Sequence, residues 1–335
     1  MSSFRVYPLV SLEFCSVNEC KYLWFRQQLS DENDSKTNES KEWIPISKGF
    51  YYETKSADIG SKLKVICLPN NGIQSEAISE NPIEANPGLC PFEERHLFCQ
   101  KDTDFGSFRV MSYNILADTY ADSDYSRTSL FPYCPPYALA IDYRKQLLIK
   151  EIIGYKSDIC CLQEVDRLLF DNDLKPVMTQ LNIDFPQYKY GSVFSEKGST
   201  GEGLTTFFNN TKFELLSAED ISYSKELQSN PIFNQILNEM SANPKLIERL
   251  ISRKSIFQCI LLKSSEETES AILLGNTHLY FHPDADNIRL IQSYIFVKYM
   301  ENKLKELSKK VILFNINSIL KILKLLVYFI TTSDD

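Results

Sequence analysis

Three polar runs stand at the ends of apolar stretches that read as strands: Ser112-Tyr113-Asn114, Gln163-Glu164-Val165-Asp166 and Asn276-Thr277-His278. A strand that only fills a core has no use for them there. Glu164 follows Ile159-Cys160-Cys161-Leu162, so its carboxylate leaves the core where the strand stops, a natural position for a magnesium ligand. Taken singly, each residue has an ordinary explanation: Glu164 as a helix cap or surface charge, Asn114 as a turn residue, His278 as a satisfied core histidine. Gathered at one end of a sheet, they would form a polar cluster able to hold a cation.

Composition narrows how such a cluster could meet a polyanion. The formal net charge is −8, so the chain does not hold nucleic acid by bulk attraction; contact with RNA needs a local basic groove or a cation held by carboxylates. A chain with 43% hydrophobic and 24% charged residues reads as a soluble globular protein. None of the nine cysteines forms a CxxC pair, which points to a reducing compartment, and Cys90, His96 and Cys99 match no common zinc spacing. The opening Met-Ser-Ser-Phe-Arg has neither an apolar signal core nor an arginine-rich amphipathic leader.

A length of 335 residues leaves room for two domains. Residues 1–79 read as short strands at 6–14, 21–27, 43–54 and 62–68, a small β-sandwich that is loosely immunoglobulin-like through Trp24 and the Ala57-Asp58-Ile59-Gly60 turn. Residues 80–105 read as a linker. From 106 to 314 strands alternate with helices, an α/β layered domain: strands at 108–115, 158–164, 188–194, 204–208, 255–263 and 271–279, helices at 142–155, 167–180, 232–242, 244–253 and 288–307. Residues 315–335 form a divergent tail.

The runs Ser112 to Asp118 (SYNILAD), Cys161 to Asp166 (CLQEVD), and Asn276 to Tyr280 (NTHLY) with Pro283 resemble, in order, the exonuclease-endonuclease-phosphatase superfamily. Within it the chain is similar to the 2′,5′-phosphodiesterases, which degrade 2′,5′-linked oligoadenylates and shorten poly(A). Asp118-Thr119-Tyr120, Phe131-Pro132-Tyr133-Cys134, Asp142-Tyr143-Arg144 and Ile288-Arg289-Leu290-Ile291-Gln292 carry that likeness, as does a sandwich domain ahead of the catalytic one. The resemblance runs from about residue 108 to 314 and is loose before that. It implies a two-sheet layered sandwich and Mg2+ as cofactor. It implies Glu164 as main magnesium ligand, Asn114 orienting phosphate or metal-bound water, and His278 hydrogen-bonding the scissile phosphate. Tyr280, Phe281 and Pro283 fall where related deadenylases wall an adenine base, with ordinary core packing the competing explanation for the aromatics. Arg289 is a candidate phosphate contact, against the commoner reading of an exposed helix arginine.

The family's later Gly-Asp-x-Asn turn and near-terminal Ser-Asp-His are not intact. Asn315-Ile316-Asn317-Ser318 stands where the turn is expected, so Asn317 becomes a second candidate metal contact, and the only histidines are His96, His278 and His282. The run 319–330 (ILKILKLLVYFI) reads as a broken gene end, or next as an amphipathic helix. Asn315, Asn317, Lys321 and Lys324 make membrane insertion of 311–330 costly. The expectation is therefore an exoribonuclease-type phosphodiesterase by family, releasing 5′-AMP, with this chain nearly inactive and its second sheet left with an open edge. The alternatives are a nocturnin-type poly(A) deadenylase and a catalytically dead adenylate-binding fragment. Oligoadenylate or poly(A) RNA is the expected partner, with neither DNA nor stable membrane insertion. The resemblance implies mitochondria, with cytoplasm as the alternative.

Overall fold

The computed structural model describes residues 1–10, 12–13, 15–29, 42–70, 72–181, 185–198, 201–266, 270–313 and 321–326. The chain divides into two compact units, one of Met1–Gln100, Asp142–Tyr155 and Asn182–Pro186, the other of Lys101–Ile141, Lys156–Leu181 and Gln187–Asp335. Asn317 and half of the run 319–330 lie outside the described residues.

The first unit is a small β domain. Its strands are β1 (Arg5–Val6), β2 (Cys20–Gln27), β3 (Trp43–Lys48), β4 (Tyr52–Glu53), β5 (Leu63–Pro69) and β6 (Ser75–Ile78), in a four-stranded antiparallel sheet ordered β3-β2-β5-β6 and a ribbon of β1 with β4. Alternating inward residues Tyr22 and Trp24 on β2 and Leu63, Val65 and Cys67 on β5 form the core with Phe50, Tyr52 and Ile83. The Trp24 indole N–H, buried with its ring, donates to the Gly49 carbonyl at 2.9 Å. The strand expected at 6–14 shrinks to Arg5–Val6, since Pro8 has no N–H to give a ladder. Where a linker is expected over 80–105, Phe92–His96 is helical, and Arg95 Nη2 reaches Glu151 Oε1 at 2.8 Å on the helix Ile141–Gly154.

The second unit is an α/β sandwich. Its strands are β7 (Val110–Asn114), β8 (Ile159–Asp166), β9 (Tyr190–Glu196), β10 (Glu202–Asn209), β11 (Phe213–Ser222), β12 (Ile256–Ser264), β13 (Ser270–Thr277) and β14 (Lys321–Leu326). They form two four-stranded sheets, β7-β8-β10-β9 and β11-β12-β13-β14. Ile159 and Cys161 of β8 and Phe208 of β10 meet Phe213, Ile260, Leu262, Ile272 and Leu274 of the other sheet in one apolar cluster, so the sheets pack face to face. The alternate residues Phe257, Cys259 and Leu273 face a second cluster with Leu227, Phe233, Leu250 and Phe296, contributed by the helices Tyr223–Ser229, Pro244–Ile251 and Asp286–Leu313 and the turn Pro231–Phe233. Strands buried on both faces are why 158–164 and 255–263 read as nearly unbroken apolar runs.

The tail differs from its sequence reading. Lys321–Leu326 is a strand, not the amphipathic helix; it pairs parallel with β13, from Ser270↔Lys321 to Gly275↔Leu326, so the edge expected to stand open at β13 is paired. The backbone groups along the free side of a buried strand demand partners, and a leucine- and isoleucine-rich segment can supply them. The helix expected at 288–307 runs on to Leu313. Among the described residues no helix is long and apolar enough to cross a membrane.

Candidate active site

Glu164 owes its position to a break in strand pairing. Along β8 and β10, Leu162 faces Thr205 and Val165 faces Gly203, so Gln163 and Glu164 together oppose the single residue Leu204. This is a β-bulge, and Glu164 takes up the extra length with φ +55°, in the left-handed region. An L-residue with a Cβ holds that conformation at a cost of about 1–2 kcal/mol, a strain that structures keep where side-chain direction matters. Gly203, opposite Val165 beside the bulge, lets β9 approach closely, since a Cβ on it would sit 2.1 Å from the Ser195 carbonyl oxygen of β9. Gly203→Ala should therefore destabilise the unit by about 1–3 kcal/mol, read as a lower chemical-denaturation midpoint. An unchanged midpoint would mean that β9 yields freely.

The parallel pairing of β7 and β8 sets Asn114 opposite Gln163, so both strands end together. Asn114 Nδ2 donates to Glu164 Oε1 at 2.8 Å while its Oδ1 accepts the Leu116 N–H at 2.9 Å, closing a tight turn in which Leu116 has φ +58°. That turn brings the Ala117 N–H to Glu164 Oε2 at 3.2 Å and the Asp118 N–H to Asp166 Oδ2 at 2.8 Å. From the opposite sheet, His278 follows β13 directly and brings Nε2 to 3.5 Å from Glu164 Oε1. The three residues singled out in the sequence therefore meet.

Their electrostatics suit a cation. Glu164 is 7% exposed, and among the described residues no lysine or arginine pairs with it. Burial, with Lys197 nearby, pushes the His278 imidazole down to about 4 against the pull of Glu202, so at neutral pH it is uncharged. Among the described residues this buried carboxylate is held by hydrogen bonds and a neutral imidazole and paired with no lysine or arginine, an environment that a divalent ion completes. Among the described residues no group of three or more Asp, Glu, His or Cys stands ready to bind a metal. A single carboxylate fits Mg2+, which keeps several waters and takes oxygens from substrate phosphate.

A polar interior supports these residues. Toward the site the apolar inter-sheet filling gives way to Gln163, Thr206, Gln258 and Asn276, all buried. Gln163 Nε2 donates to Asn276 Oδ1 at 2.9 Å, joining the residue before Glu164 to the residue two before His278. Asn276 Nδ2 lies 3.1 Å from Gln258 Oε1 and 3.3 Å from the Leu162 carbonyl, and Thr206 Oγ1 donates to Gln258 Oε1 at 2.7 Å. These amides pin the two strand ends against each other.

Sequence reading missed a neighbouring group. Lys197 Nζ pairs with the buried Glu202 Oε1 at 2.9 Å, and Tyr120 Oη donates to the same oxygen at 3.3 Å. Burial, then Glu202, Glu164 and Asp166, push the Tyr120 phenol up to about 12. The signal available was Glu202-Gly203 opening an apolar strand.

The remaining candidates separate. Arg289 is buried, and its guanidinium donates to the carbonyls of Tyr280, His282 and Pro283 and to Asp286; it therefore clamps the 280–283 loop from inside and offers nothing to phosphate. Tyr280 is half-buried, fixed by its N–H to Gln292 Oε1 at 2.9 Å, while Phe281 and Pro283 are exposed.

Two facing sheets that bring Asn114, Glu164 and His278 together at their strand ends agree with a layered fold of the exonuclease-endonuclease-phosphatase type. Residues 1–86 match the family model described as 2′,5′-phosphodiesterase 12-like, N-terminal domain. The chain is 39% identical over 306 residues to 2′,5′-phosphodiesterase 12 of Rattus norvegicus, covering 87% of this chain and 49% of that protein. It is 37% identical to the Homo sapiens protein of the same name, over 90% of this chain and 50% of that one. It is 32% identical to carbon catabolite repressor protein 4 homolog 2 of Arabidopsis thaliana, over 58% of this chain and 32% of that protein. Among solved structures, ANGEL2, a 2′,3′-cyclic phosphatase, aligns at 25% identity and TM-score 0.44 over 56% of this chain and 45% of that one. This chain belongs to the 2′,5′-phosphodiesterase subfamily of the superfamily. It spans about half the length of the 2′,5′-phosphodiesterase 12 relatives it matches.

Proposed function

We propose that this chain carries residues of a magnesium-dependent phosphodiesterase site that cleaves adenylate RNA, both 2′,5′-linked oligoadenylate and 3′,5′ poly(A), releasing 5′-AMP. The observation that carries the reading is the meeting of Asn114 and His278 on Glu164, a buried carboxylate aimed by a left-handed bulge and paired with no lysine or arginine among the described residues. Glu164 would hold Mg2+, which when bound supplies positive charge to the phosphate as it becomes more negative. Asn114 and the Ala117 N–H keep both carboxylate oxygens in place. The neutral His278 donates a hydrogen bond to a phosphate oxygen, and that bond strengthens as charge builds there.

In a chain extended to the full length of its 2′,5′-phosphodiesterase 12 relatives, His278→Ala should accordingly lower kcat for a 2′,5′-linked adenylate trimer by about a hundredfold with KM nearly unchanged. An effect confined to KM would contradict the role. AMP release followed by chromatography, with and without Mg2+, tests the activity itself. Mitochondria are the proposed compartment; a tagged chain found throughout the cytoplasm would exclude them.

A further inference from the structure

We propose that Arg253 binds a substrate phosphate other than the scissile one, the role that sequence reading gave to Arg289. This deepens the proposed function and rests on it. Arg253 sits between the helix Pro244–Ile251 and β12, and its guanidinium carbon lies over the Tyr280 ring, 4.1 Å from the centroid. Tyr280 is two residues beyond His278 on a segment fixed by Gln292 and Arg289, so the ring that carries the guanidinium is anchored beside the candidate site. A guanidinium over an aromatic face is held by cation–π attraction while its in-plane N–H groups remain free to grip an anion.

Two observations distinguish Arg253 from an ordinary surface arginine. Its Nε is buried, yet no hydrogen-bond partner reaches it among the described residues. No carboxylate lies within ion-pair distance of it there either, although acidic residues outnumber basic ones 44 to 36 in the chain. A half-buried cation left without an anion, in an acidic protein and on an aromatic support, is a site that a polyanion completes. Arg289 cannot take that role, because its donors hold loop carbonyls and Asp286.

The test uses the length of the substrate. A 2′,5′-linked adenylate dimer without a 5′-phosphate has one phosphodiester, the scissile one; the trimer has two. Affinities of the full chain for both, with Ca2+ replacing Mg2+, are measured by fluorescence anisotropy at several salt concentrations. Arg253→Gln should weaken trimer binding about ten- to hundredfold and lower the salt slope by about 0.7, leaving the dimer unaffected. Arg253→Lys, which keeps the charge and loses the fork, should fall between and keep the slope. Thermal unfolding of both variants should match the parent chain. Trimer affinity unchanged in Arg253→Gln, or an equal loss for dimer and trimer, overturns this assignment alone. A parent chain that binds neither oligomer overturns it together with the proposed function.

Discussion

In a chain extended to the full length of its 2′,5′-phosphodiesterase 12 relatives, here the parent chain, Glu164→Gln is expected to reduce magnesium-dependent AMP release by about a thousandfold or more, while the unfolding transition stays close to that of the parent chain. The amide keeps the shape of the carboxylate and one oxygen for Asn114 or Ala117, so the loop over the bulge has no reason to open. What disappears is the one formal charge at the centre of the cluster. Its loss removes an unpaired buried anion, so stability is preserved or rises, the opposite of what a structural ion-pair partner would show. Turnover within tenfold of the parent chain would take Glu164 out of the site. A collapse of the transition would mean that its role is to hold the fold.

Asn276→Leu is expected to cost about 3–5 kcal/mol in the second unit, seen as a lowered denaturant midpoint. Leucine is close in size but strips the acceptor from Gln163 Nε2 and the donor from Gln258 Oε1 and the Leu162 carbonyl, all in the buried space between the sheets. Gln163 Nε2 keeps Ser112 Oγ and Gln258 Oε1 keeps Thr206 Oγ1, but each buried group loses one bond that an apolar side chain cannot replace, and the desolvation penalty is offset less. Because Gln163 precedes Glu164, any residual activity should fall as well. A neutral outcome would show that water fills the gap and that the strand ends are held by other contacts.

Particular residues show how far the sequence carried. Strands β8, β12 and β13 are legible because both faces are buried and the apolar run is nearly continuous. Strand β11 is not, since Phe213–Ser222 exposes much of its length and mixes charges into it. Helix ends were readable where a side chain caps them: Asn243 accepts the Leu246 N–H at 3.2 Å at the start of Pro244–Ile251. Asn114, Glu164 and His278 are legible as polar residues at strand ends. The bulge that aims Glu164 is not, because the left-handed residue is a glutamate and no glycine marks it. Arg289 misled because helix position says nothing about which carbonyls fold back onto its guanidinium. The pairing of 321–326 with β13 depends on an edge roughly fifty residues earlier, a long-range contact that local pattern does not encode.

The central claim, that Glu164 anchors a divalent cation, is tested most directly by titrating the full chain with Mn2+ and following free ion by electron paramagnetic resonance, with an adenylate trimer present. The parent chain and an exposed-carboxylate control, Glu214→Gln, should take up the ion alike, while Glu164→Gln should lose that uptake. Equal uptake by Glu164→Gln and the parent chain would contradict the account.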